Sequence, residues 1–266
     1  DWIVHQWSWM NNVYQAFNDH YKFLIVISLV EKTLQFYDQM NIKYTFDQFY
    51  SKSNLQIEKF SITELCEKLQ LPKETVRRKV LELEKLGVLR RIKKQIIIDR
   101  SVFSQVKPER QIRLTSKYIY LISEIFNNDG IYQKKLETKY IEQVIKKNFG
   151  LCWRWFYRMQ IPMIIGYHEA FEDVATFHIW GTVAMNQAFN YKNNIDVSNV
   201  HSLTPDYMQF NKGVVLEQVD GNINGVSAMS LSDMTNIPRA TVIRKCKYLM
   251  KNEYLRLNSK KQYVMT

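Results

Sequence analysis

Two clusters of arginine and lysine hold the side chains best equipped for chemistry in this chain. The first runs Lys73, Thr75, Arg77, Arg78 and Lys79, followed at a distance by Arg90, Arg91, Lys93 and Lys94. The second runs Arg239, Thr241, Arg244 and Lys245, followed by Arg256, Lys260 and Lys261. A guanidinium is a planar fork of donors that fits phosphate or the O6/N7 edge of guanine, whereas an ammonium is a compact charge suited to phosphate. Hydroxyls and backbone N–H groups at a helix start also favour an anion, which gives Thr75 and Thr241 a place in the same chemistry. What these residues offer is the binding of a polyanion.

Groupings suited to catalysis or metal binding are sparse. HEAFED (168–173) has the spacing H-E-x-x-E and lacks the second histidine of a zincin helix, so it reads as an acidic helix segment. Cys66, Cys152 and Cys246 stand far apart without C-x-x-C spacing. That pattern argues against a disulfide framework or a zinc site and fits a reducing cytosol. Gly-rich phosphate loops and nucleophile elbows are absent, and His20, His178 and His201 stand alone. No catalytic residue, metal site or cofactor is expected, and the chain is not read as an enzyme.

Charge supports the polyanion reading by its location. The formal net charge is +11. Residues 61–100 hold 11 Lys/Arg against 6 Asp/Glu, and residues 227–266 hold 8 against 2. The rest of the chain is balanced, so the whole excess sits in the two segments that contain the clusters. A merely solvated lysine-rich surface would spread its charge more evenly; a concentrated field suits a polyanionic partner.

Those segments are alike. Ser61–Lys94 aligns with Ser227–Lys260 without a gap and with twelve identities, among them Pro72/Pro238, Thr75/Thr241, Val76/Val242, Arg78/Arg244 and Lys79/Lys245. Self-similarity at one spacing marks duplicated units. Upstream, Tyr14–Ile25 resembles His168–Ile179, sharing Ala16/Ala170, Phe17/Phe171, Asp19/Asp173, Phe23/Phe177 and Ile25/Ile179.

The elements that must hold the basic residues follow from periodicity. ITELCEKL (62–69) has helical spacing behind Ser61 as N-cap, with Glu64 placed to complete a capping box. Pro72 suits the first turn of a second helix, in which Val76, Val80 and Leu83 form one apolar stripe that Leu86 extends. Gly87 can take the left-handed position after it, and VLRRI and QIIID then read as a hairpin with its tip at Lys93-Lys94. This is helix, tight turn, helix and wing. The second copy repeats the plan, except that Glu253 stands where Gly87 stands.

Both modules resemble winged helix-turn-helix domains of bacterial transcription regulators, in the broad MarR/IclR-like sense. The pattern S-x-x-E-L-x5-L-P-x-x-T-V-x-R from Ser61 to Arg78, then a leucine-bearing helix and G-x-L, carries the likeness over about 40 residues of each half. It implies that the second helix enters the major groove of DNA with its N-terminal residues toward the bases. MarR-like proteins are two-fold dimers, so a duplicated chain is expected to be a single-chain pseudo-dimer.

With 266 residues, 46% of them hydrophobic, and only 8 Gly and 5 Pro, the chain is globular and long enough for two domains. Val13–Tyr37 reads as one long amphipathic helix, with further helices at 114–126 and 138–149. The aromatic run LCWRWFYRM (151–159) reads as core packing, with a small-molecule effector pocket as the other possibility. The expected fold is mainly α with small β wings. Its parts are an N-terminal helical segment (1–58), a first winged-helix domain (59–105), an aromatic-rich helical, dimerisation-like region (106–225) and a second winged-helix domain (226–266).

The longest apolar run, FLIVISLV, falls well short of the roughly 20 residues of a membrane span. No secretory signal pattern is seen, and a cytoplasmic, nucleoid-associated protein is expected. The expected function is sequence-specific binding of double-stranded DNA by a transcription regulator with two unequal recognition helices. Two alternatives stay open: a winged-helix interaction scaffold of a chromosome-organising complex, and a plasmid-type replication initiator. A protein partner, further self-association and a small-molecule effector are open as well.

Overall fold

Polar residues interrupt the first long apolar stretch at Asn18-Asp19, and there the chain turns. Helix α1 (Trp2–Phe17) ends, Asn18 adopts the left-handed conformation at φ 50°, and α2 (His20–Gln39) begins. Asp19 caps α2, its Oδ1 accepting from the N–H groups of Tyr21 and Lys22 at 2.9 and 3.0 Å. The single helix expected over Val13–Tyr37 is therefore two. An Asn-Asp pair offers a tolerated left-handed residue followed by a strong N-cap, and that local chemistry outweighs the apolar periodicity.

The computed structural model describes residues 2–57, 61–92, 95–102, 107–131, 134, 136–194 and 225–266. They fall into two units, residues 1–174 and 175–266. The first unit continues with α3 (Phe46–Tyr50), β1 (Asn54–Ile57), α4 (Ile62–Leu69), α5 (Lys73–Lys85), β2 (Leu89–Ile92), β3 (Gln95–Asp99), α6 (Glu109–Asn128), α7 (Thr138–Lys147) and α8 (Phe149–Phe171). The second contains most of α9 (Val174–Asn194), then α10 (Ala228–Thr235), α11 (Arg239–Lys251), β4 (Leu255–Leu257) and β5 (Tyr263–Met265). The mainly α fold with small β elements is as expected.

Helix α2 is the platform of the first unit. Leu24, Ile25, Ile27 and Leu29 are buried, and the helix packs on α1, α4, α5, α8 and β1. Its polar residues fasten the next helices: Glu31 Oε2 takes Lys68 Nζ of α4 at 2.6 Å, and Lys32 Nζ reaches both carboxylate oxygens of Glu64 at 2.5 and 2.7 Å. Glu64 thus directs its carboxylate to α2, while the Ser61 hydroxyl accepts from the Glu64 N–H at 3.3 Å.

The sheet of the first unit has three strands in the order β1-β3-β2, both pairs antiparallel. Ile98 of β3 stands opposite Leu55 on one side and Leu89 on the other, and all three are buried. Strand β1 was not expected; its alternating NLQI is too short and too polar to announce a strand, and only pairing with β3 gives it one buried face.

In the second unit the strand-like bridge is Val226–Tyr263, with N···O distances of 3.0 and 2.9 Å in the two directions. Gly225 lies so near this bridge that a Cβ on it would sit 2.7 Å from the Tyr263 carbonyl oxygen. The Gln187 side chain of α9 accepts from the Met265 N–H at 2.5 Å, anchoring β5.

Candidate nucleic-acid interface

The apolar stripe of α5 is fully inside: Val76, Val80 and Leu83 are completely buried. Burial of that face fixes the rotation of the helix and turns Lys73, Glu74, Arg77 and Arg78 outward, all exposed, with Thr75 half-buried. Leu86, expected to extend the stripe, is 49% exposed instead, because the helix ends there and Val88 and Leu89 take over the inward course.

The approach to α5 is a tight turn. Gln70 ends α4 in the left-handed conformation (φ 51°, ψ 38°), and Leu71 is buried. Pro72 then occupies the N-cap position and has no side-chain acceptor to give. The first intrahelical bond runs from the Val76 N–H to the Pro72 carbonyl at 3.1 Å. The first-turn N–H groups therefore remain donors at the positive end of the helix dipole, where a phosphate would sit.

The basic side chains differ in how free they are. Arg77 meets Glu74 at 3.2 Å and Arg78 approaches Glu82 at 3.9 Å; both guanidinium groups are well exposed, and such surface pairs hold a side chain weakly. Lys79, expected to contribute to the interface, points elsewhere. Its Nζ lies 2.5 Å from Asp19 Oδ2 and 3.2 Å from Glu82 Oε2, and Lys22 adds to the network 3.3 Å from Glu82. Burial disfavours the Lys79 ammonium, yet the bonds from Asp19 and Glu82 outweigh it and raise its pKa. One helical position beyond Arg78, it has rotated toward α2.

On the wing, Arg90 is exposed and 3.9 Å from Asp99. Arg91 is gripped by Glu84, Nε to Oε1 at 2.5 Å and an Nη to Oε2 at 2.7 Å, a two-pronged pairing that ties β2 back to α5. Lys93 and Lys94 lie outside the described residues.

In the second unit, Ser227 caps α10 and accepts from the Ser230 N–H at 3.1 Å. Pro238 stands at the N-cap of α11, whose Val242, Cys246 and Leu249 are fully buried. Arg239 and Arg244 are exposed and Thr241 is half-buried. Lys245, expected to face outward, is only 6% exposed, matching the inward turn of Lys79 at the aligned position. Arg256 is half-buried, while Lys260 and Lys261 at the hairpin turn are exposed.

His168 of HEAFED is engaged by the Tyr21 hydroxyl, with Nδ1 2.8 Å from it. Among the described residues no group of three His, Cys, Asp or Glu is placed to hold a metal ion, and no helix is long and apolar enough to cross a membrane.

Residues 55–99 match the family model of the DeoR-like helix-turn-helix domain. The matched stretch starts in β1 and ends with β3, so it takes in the three-stranded sheet and both helices of the first module. It is a DNA-binding domain of the helix-turn-helix kind, as found in transcription regulators; the likeness is DeoR-like where the residue pattern suggested MarR or IclR. No curated protein and no solved structure matches the chain.

Proposed function

We propose that this protein is a nucleoid-associated transcription regulator that reads double-stranded DNA with two unequal recognition helices, α5 and α11. The observation that carries the proposal is the presentation of Lys73, Arg77 and Arg78. They project from a helix whose opposite face is completely buried, beside first-turn N–H groups left without a capping side chain, inside the segment that matches a DNA-binding domain. Arg78 and Arg77 suit base edges or phosphate, Thr75 suits phosphate, and Arg90 together with Lys93 and Lys94 suits the flanking backbone.

Support for a second reader comes from backbone geometry at the aligned positions. Gln70 and Asn236 are both left-handed, at φ 51° and 58°, and so are Gly87 and Glu253, at 74° and 60°. Upstream, Asn18 and Glu172 both have positive φ, 50° and 64°, each standing before an aspartate and between two helices. A glutamate tolerates positive φ poorly, so Glu172 and Glu253 favour inherited geometry over local preference. We read the chain as a duplicated helix-turn-helix unit, with Arg239, Thr241, Arg244, Arg256, Lys260 and Lys261 as the second basic set. Ile243 and Ala240 replace Arg77 and Glu74, so the two helices would read different half-sites.

The test is selection from a randomised duplex library with the full chain, followed by binding across a salt series. An enriched asymmetric motif, with discrimination lost at one half for Arg78→Ala and at the other for Arg244→Ala, is the expected result. Recovery of repeated identical half-sites would point to a replication initiator, and no enrichment to a protein scaffold.

A further inference from the structure

Helix α8 has one face inside and one apolar face outside. Phe149, Trp153, Phe156, Gln160 and Ile164 are buried where the helix packs on α2, α3, α4 and α7. On the opposite side Leu151, Trp155, Arg158, Pro162, Gly166 and Glu169 recur in steps of three or four residues, and all are exposed. At 1.5 Å per residue this row is about 27 Å long, and its spacing is that of a seam between paired helices. Leu151 is 48% exposed, Trp155 55% and the neighbouring Met159 42%. The apolar surface extends past the start of the helix: Ile42, just beyond α2, shares the lining of a shallow pocket with Leu151 and is itself exposed. The inward face already supplies the core, so folding does not account for a leucine, a tryptophan and a methionine standing in water along one line.

The row carries two charges, and their placement is informative. Arg158 stacks its guanidinium 4.5 Å from the Trp155 ring centroid. Glu169 stands eleven positions further on, about 16 Å along the axis. In a two-fold contact residue i meets residue j while j meets i. Two antiparallel copies of α8 centred between these charges would set Arg158 of each on Glu169 of the other, giving two ion pairs. A parallel pairing would set like on like, which disfavours it. Midway between the charges lie Pro162 and Gly166, where two such helices would cross. A Cβ built on Gly166 meets nothing within 4 Å, so a second backbone can approach closely there.

We propose that the outward row of α8 is a docking surface for a second copy of this chain, the two helices antiparallel and held by reciprocal Arg158–Glu169 pairs around an apolar seam. A single helix face with Ile42 at its edge is smaller than the roughly 800 Å² per partner of a standard interface, so the dimer is a transient one, dissociating on the order of 10 μM. The charges set its orientation, and Leu151, Trp155 and Met159 supply most of its apolar area.

The test is sedimentation velocity of the full chain from low to high micromolar concentration. DNA is left out, so failure here leaves the DNA-reading proposal untouched, and the reverse holds. A concentration-dependent shift from monomer to dimer is expected. Arg158→Glu or Glu169→Arg alone should weaken it about ten-fold or more by placing like charges together, and the double variant Arg158→Glu/Glu169→Arg should restore it. Trp155→Ser should weaken it as well, whereas Ile125→Ser, an exposed apolar residue on α6, should not. All of these side chains are exposed, and circular dichroism checks that each variant keeps its helices. Monomer at every concentration would overturn the proposal and give the row to another occupant. A dimer indifferent to the single reversals, or a double variant that fails to restore it, would overturn it too.

Discussion

Asp19 and Lys79 meet at 2.5 Å in an ion pair whose side chains are only 16% and 14% exposed. The other oxygen of the same carboxylate caps α2, so one residue starts the platform helix and grips the flank of α5. Lys79 thereby fastens α5 to the start of α2.

The two tasks of Asp19 can be separated. Asp19→Asn keeps an N-cap and loses the charge pair; we expect a loss of about 1–2 kcal/mol, since a largely buried lysine is left less compensated. Asp19→Ala loses the cap as well and should cost about 1 kcal/mol more. Urea unfolding of the two variants checks this, and equal losses would mean that the cap contributes nothing.

Salt dependence separates Lys79 from its neighbour. If Arg78 neutralises a phosphate, Arg78→Ala lowers the slope of log K against log salt by about 0.9. Lys79→Ala should leave that slope unchanged while lowering the unfolding midpoint. A slope change for Lys79→Ala would show that the ion pair opens when DNA binds.

Position 87 and its counterpart 253 give opposite expectations for one kind of change. Both backbones are left-handed, but one is glycine and the other glutamate. Gly87→Ala should destabilise the first unit by about 1 kcal/mol, and Glu253→Gly should stabilise the second by a similar amount. Glu253 is exposed, so little else changes with it. Thermal unfolding monitored in each variant checks both signs.

Much of the first module was legible because its signals are local. Ser61, Pro72 and Gly87 punctuate the helices through capping, a fixed φ and a left-handed turn, and the 76-80-83 spacing orients α5 without help from the rest of the chain. What stayed hidden depends on distant partners. Lys79 finds an aspartate sixty positions earlier in the chain, β1 becomes a strand only against β3, and Arg100 is buried by α3 and by rings from α1 and α8. The break at Asn18 was masked for a different reason: apolar periodicity continues across it, and only the conformational tolerance of Asn and the capping strength of Asp reveal it.

Acid sensitivity should come first from histidine. His20 opens α2 with its ring 4.9 Å from Tyr14, and burial lowers its pKa from 6.5 to about 3. Burial likewise lowers His5 to about 4. Between these values and 6.5 the unfolded chain takes up protons that the folded chain refuses, so stability falls as pH falls. The His20 contribution is fully present above 6.5, and about 2 kcal/mol of it should be gone by pH 5. The paired carboxylate Glu82 acts in the same direction but at lower pH: burial works against its ionisation, and the bonds from Lys79 and Lys22 prevail and lower its pKa below 4.5. The interval from neutrality to pH 5 therefore isolates the histidines. Urea midpoints measured across it should drop for the parent chain and drop less steeply for His20→Gln, whose side chain does not titrate. An equally steep fall in the variant would assign the effect to His5 or to the unfolded state.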